Sequence, residues 1–114
     1  MSAKILMFGS DTLLLRTRAM LLEQSGFEVL TTEQFQDAKR AVAEQHLDVV
    51  ILCHTLRTDE TKGMLKEIHS LQPEVKTLIL DEDETLSALN SNDESFKAFS
   101  GPENLLRTLN KMIN

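Results

Sequence analysis

The chain has 114 residues, 41% of them hydrophobic and 26% charged, enough for one globular domain with its own core and no need of disulfide or metal staples. No apolar run approaches the roughly 20 residues of a membrane span, and the opening MSAKILMFGSD has too short an apolar stretch for a signal-peptide core, so a single cytoplasmic domain over residues 1–114 is expected. The net charge of −6, with 12 Lys and Arg scattered along the chain, excludes nucleic acid as a direct partner, and the lone Cys53 fits a reducing compartment.

The first strand-length apolar run is KILMF (4–8). After it, Ser10 or Asp11 can cap a helix that Gly26 ends in a left-handed residue. In that helix, TLLLRTRAMLLEQS, a turn of about 100° per residue sets Leu14, Thr17 and Leu21 toward a sheet with Leu22 beside them. Leu13 and Met20 fall on one flank, and Leu15 and Ala19 on the other. This apolar coverage is wider than one buried stripe requires, so part of it is expected to pack on the last helix and the rest to form a contact surface.

A second strand, FEVL (27–30), leads to a helix introduced by the capping-box spacing of Thr31 and Gln34 and ending near His46. The third strand, DVVILC (48–53), has the fully apolar centre VVIL of a strand covered on both faces. A helix is expected from about Asp59 to Leu71, stopped by Pro73 because the residue before proline disfavours helical geometry. KTLIL (76–80) reads as the fourth strand, and the polar segment DEDETLSALNSND leaves room for a short fourth helix around Leu86 and Leu89. SFKAF (95–99) reads as the fifth strand. Ser100 and Glu103 around Pro102 then open a last helix whose Leu105, Leu106, Leu109 and Ile113 form one stripe. Alternation at this spacing favours a parallel sheet with helices on both faces.

Five strands and five helices in strict alternation, the KIL opening, the passage SGFEVLTTEQFQDAKRAV, DVVIL and GPENLLRTL together resemble the receiver domain of bacterial response regulators over nearly the whole chain. The resemblance implies an α/β, flavodoxin-like (βα)5 doubly wound parallel sheet with strand order 2-1-3-4-5 and, here, a shortened fourth helix. It also implies a place in two-component phosphorelay signal transduction, where the family holds Mg²⁺ and a phosphoryl group at the C-terminal ends of the strands.

At every position matching that chemistry this sequence differs. Gly9 and Ser10 stand for the acidic pair after the first strand, Cys53 for the phosphoacceptor aspartate, Asp81 for the Thr or Ser after the fourth strand, and Ala98 for the lysine of the fifth, with Lys97 one residue away. Mg²⁺ prefers carboxylate oxygens, and without it nothing neutralises the charge of an in-line transfer. The expectation is a stand-alone pseudo-receiver that is not an enzyme, uses no cofactor or metal, and works by protein-protein interaction. Its partner would be a histidine kinase, another regulator or a second copy as a homodimer. The contact candidates are Leu13, Leu15, Ala19 and Met20 on the first helix, with Phe96, at the family's aromatic-switch position, and Phe99.

Two other classes compete. A Cys53-based thiol sensor or enzyme needs a cationic neighbour to lower the thiol pKa. His54 is next in sequence, but adjacent strand residues point to opposite faces, and most free cysteines are small buried hydrophobes. A small-ligand module would reuse the strand-end crevice lined by Gly9, Ser10, Cys53 and Asp81. His46, His54 and His69 have no metal-ligand spacing, and the acidic run from Asp81 to Glu84 lacks the glycine of a calcium loop.

Overall fold

The computed structural model describes residues 3–53, 56–81, 93–97 and 102–113. Five parallel strands, β1 (Lys4–Phe8), β2 (Glu28–Thr32), β3 (Val49–Leu52), β4 (Lys76–Asp81) and β5 (Asp93–Lys97), form one sheet in the order β2-β1-β3-β4-β5. Among the described residues the helices are α1 (Thr12–Gln24), α2 (Phe35–Glu44), α3 (Thr58–Leu71) and α4 (Pro102–Ile113), the last being the final helix of the chain. The expected short helix around Leu86 and Leu89 lies outside the described residues.

Period-two alternation along the strands builds two cores from the same residues' neighbours. Leu6, Phe8, Val50, Leu52 and Ile79 face α2 and α3, where they meet Ala38, Ala41, Val42, Met64, Leu65 and Ile68. Ile5, Met7, Val49, Ile51, Leu78 and Leu80 face α1 and α4, where they meet Leu15, Leu22, Leu105, Leu109 and Met112. Every residue of β3 is fully buried, as the uninterrupted VVIL run requires.

The helix ends follow local chemistry. Asp11 caps α1, its carboxylate accepting from the Leu14 N–H at 3.1 Å. Beyond the C-terminus of α1, Gly26 takes φ +96°, a conformation a side chain would strain. Glu60 accepts from the Arg57 N–H at 3.2 Å at the start of α3. At the other end of α3, Gln72 binds the last turn of α2 and the loop that follows it: its Nε2 donates to the Val42 and Gln45 carbonyls and its Oε1 accepts from the Leu47 N–H.

Four local expectations need correction. First, β2 continues to Thr32, so Thr31 is a strand residue, and α2 starts after Gln34 with no side-chain cap. Two β-branched threonines extend the strand instead of turning the chain. Second, β5 begins at Asp93 rather than Ser95 and ends at Lys97, because its pairing with β4 runs through the polar residues from Thr77↔Asp93 to Asp81↔Lys97. Third, the sheet-facing stripe of α1 is Leu15, Ala19 and Leu22, rotated from the expected Leu14, Thr17 and Leu21, with only the neighbouring Leu22 buried as expected. Thr17 is exposed and donates its hydroxyl to the Leu13 carbonyl at 2.8 Å. Fourth, Met112 joins Leu105 and Leu109 in the buried stripe of α4, with Leu106 and Ile113 packed at its margins.

Candidate functional site at the C-terminal ends of the strands

The sheet register brings two of the singled-out positions, Gly9 and Cys53, together. Phe8 is level with Leu52, and the Cys53 N–H donates to the Phe8 carbonyl at 2.9 Å, so Gly9 and Cys53 leave adjacent strands side by side. Gly9 is buried and its N–H donates to the Thr32 carbonyl at 3.2 Å, which ties this corner to β2. Ser10 is exposed, and Asp11 beyond it is committed to the α1 cap. Asp81 is the last residue of β4 and lies in register with Lys97, the last of β5, while Leu80 lies in register with Phe96. Ala98, Phe99 and His54 lie outside the described residues.

Cys53 is only 3% exposed and belongs to the core facing α1 and α4. Burial pushes its thiol from the ordinary 9.0 up to about 11, against the lowering effect of the Arg18 guanidinium, which sits beside the sulfur and hydrogen-bonds to it. The thiol therefore stays protonated at neutral pH. It lacks the depressed pKa that thiolate chemistry requires, even with a cation next to it.

Arg18 is the neighbour that sequence adjacency pointed away from. It lies on α1 at the helical spacing that joins Leu15 to Leu22, so the signal was present in the 3-and-4 periodicity of the buried stripe rather than in the residues flanking Cys53.

The four contact candidates on α1 divide. Leu13 is 72% and Met20 55% exposed, an apolar pair seven residues apart on one outer face. Leu15 and Ala19 are buried against the protein's own interior, a direct consequence of the shifted stripe, and reach the surface only where they line the groove between α1 and β2. Of two grooves among the described residues, one, of about 510 Å³, lies at the opposite end of the strands between His46, Gln72 and Met112. The other, of about 640 Å³, runs between α1 and β2 and reaches the strand-end corner at Thr12 and Thr32. Among the described residues, no group of three or more His, Cys, Asp or Glu is placed to hold a metal ion, and no helix is long and apolar enough to cross a membrane.

The architecture defines an open, doubly wound flavodoxin-like α/β protein. Within that class the chain has the fold of response-regulator receiver domains. It is similar to a CheY-like receiver domain protein from Methanospirillum hungatei (TM-score 0.87, 19% identity, 99% of this chain and 94% of that one). It is equally similar to a receiver domain protein from Clostridium thermocellum (TM-score 0.86, 27% identity, 98% and 94%). A third likeness is to the receiver domain of a sensor histidine kinase from Pseudomonas aeruginosa, solved with a magnesium ion coordinated in its active-site cleft (TM-score 0.85, 16% identity, 99% and 98%). No protein-family model and no curated protein matches the sequence.

Proposed function

We propose that this chain is a receiver-like module of bacterial signal transduction that acts by protein-protein contact, without aspartyl phosphorylation and without enzymatic activity of its own. One observation carries the reading. At the end of β3, where the resemblance calls for an ionised phosphoacceptor carboxylate, stands Cys53, a buried thiol held protonated in the core.

The neighbouring positions support it. Gly9 offers no side chain and Ser10 only a neutral hydroxyl, whereas Mg²⁺ favours carboxylate oxygens and binds a neutral thiol poorly. The residues at this corner do not fit the magnesium site of a phosphorylated receiver. With that chemistry absent, this cytoplasmic module acts by binding a histidine kinase, another regulator or a second copy. The exposed Leu13 and Met20 on α1 are the apolar contacts such binding would use.

The test combines amide NMR in Mg²⁺ and then acetyl phosphate with intact-mass measurement. The expected result is no shift at Gly9, Ser10, Cys53 or Asp81 and no phosphoryl adduct. A Mg²⁺-dependent shift at that corner, or an adduct on any residue, would overturn the proposal. The thiol-sensor alternative is decided by alkylation: Cys53 is expected to react far more slowly in the native protein than an ordinary free thiol and to react freely once denaturant is added.

A further inference from the structure

We infer that the open edge of β2 is a docking site for an extended, positively charged segment of a partner protein, which adds to the sheet as a sixth strand. β2 lies at the edge of the sheet, and strand addition there uses its outward main-chain groups rather than the side chains of the strand-end corner.

The backbone geometry sets it up. β2 is an edge strand, and the Glu28 N–H donates to the Ala3 carbonyl while the Thr32 carbonyl accepts from Gly9, so both turn their hydrogen-bonding groups inward to β1. Alternation along the strand then turns the N–H and C=O groups of Val29 and Thr31 outward. Thr31 is exposed and Val29 half-buried, and β2 contains no proline or lysine of the kind that natural edges use to repel added strands.

Beside this edge runs the groove of about 640 Å³, with Val29 and Thr31 on its β2 side and Arg16, Ala19, Met20 and Glu23 on its α1 side. Met20 is apolar and 55% exposed, a contact for an aliphatic side chain of an added strand.

Charge selects the occupant. The groove is lined by three acids, Glu23, Glu33 and Asp37, against one base, Arg16, and Glu28 stands exposed at the start of β2. An antiparallel second copy of β2 would set the acids flanking one strand, Glu28 and Glu33, against those of the other, a like-charge arrangement that disfavours self-pairing. A segment with Lys or Arg flanking an aliphatic or β-branched centre meets complementary charge at the rim and gains main-chain hydrogen bonds along the edge.

The probe is an acetylated, amidated heptapeptide alternating Val and Lys, titrated into the full chain and followed by amide NMR and hydrogen exchange. The expected result is saturable shifts centred on Val29, Thr31 and Met20, slowed exchange of the Val29 and Thr31 amides, and weakening as salt rises. A peptide of Val and Glu should not bind. Thr31→Pro removes an outward N–H without touching the β1 ladder and should weaken binding about tenfold or more. The exposed pair Glu23→Lys with Asp37→Lys should weaken the Lys peptide comparably, and it keeps the test decisive if the proline variant misfolds. The inference is overturned if the Lys peptide leaves these amides unmoved, if the Glu peptide binds as well, if the folded charge-reversed variant binds unchanged, or if the protein self-associates through β2.

Discussion

The strands of this protein are conventional along their length and unconventional at their C-terminal ends. Ile5 to Phe8 and Val49 to Leu52 are fully buried aliphatic and aromatic residues in level register, shared between two cores. One step further on stand Gly9 and Cys53, with Asp81 closing β4, the residues on which the proposed loss of receiver chemistry rests. The fold depends on the interior rows and the chemistry on the residues just past them, so the two can diverge within one chain. The difference is open to attack from both sides.

The largest effect should come from the interior. Ile51→Ala removes a fully buried side chain from the α1/α4 core and should cost about 2–5 kcal/mol of unfolding free energy in urea melts. Truncating the exposed Ser10 to Ala should stay within about 0.5 kcal/mol, although Ser10 lies only three residues beyond Met7, the partner of Ile51 across the sheet. Equal costs would mean that the strand-end row is part of the packed structure.

The next effect is pH-dependent. With the Cys53 thiol at about 11 in the folded chain against 9.0 in the unfolded one, the unfolded state loses its proton first as pH rises. Stability is therefore at its full value below pH 9.0 and falls through the window up to about 11. The loss attributable to Cys53 should be on the order of 2–3 kcal/mol, read as the difference between the alkaline stability curves of the native sequence and Cys53→Ala. A flat difference curve would mean that Cys53 is ionised or solvated in the folded protein.

Most of the architecture could be read from the chain because apolar runs of strand length alternate with capped helical segments, and VVIL is legible as a central strand on sight. The facing of α1 could not. Its buried stripe passes through Arg18, half-buried beside Cys53, while Leu13 and Met20 lie outside, so charge on the inner side and leucine and methionine on the outer side blur the periodicity. Thr31 and Gln34 gave a capping-box spacing with no cap, because sequence spacing is blind to a strand that gains two more ladder positions beside β1. At the candidate site the substitutions at Gly9 and Cys53 were visible as residue types. The pairing of Cys53 with Arg18 depends on which face of α1 meets the sheet, and the misplaced stripe hid it.

A smaller effect is expected where the backbone rather than the core is strained. Gly26 has φ +96° with open space around the position a Cβ would take, so Gly26→Ala meets no clash and pays only the conformational term, about 1 kcal/mol. A cost near that of Ile51→Ala would show that the turn from α1 into β2 is packed more tightly than its open surroundings suggest.

The smallest stability effect should accompany a functional one. Leu13 is 72% exposed on α1 and lies outside the groove beside β2, so Leu13→Ser should change stability by less than about 0.5 kcal/mol. If α1 is the surface through which a kinase, regulator or second copy docks, the same substitution should lower the affinity of that contact while leaving the Val-Lys peptide at the β2 edge unaffected. Met20→Ser should weaken both, because Met20 is exposed on the same helix face as Leu13 and also lines the groove. Separate responses to the two substitutions would establish two contact surfaces that share one methionine. Identical responses would reduce them to one.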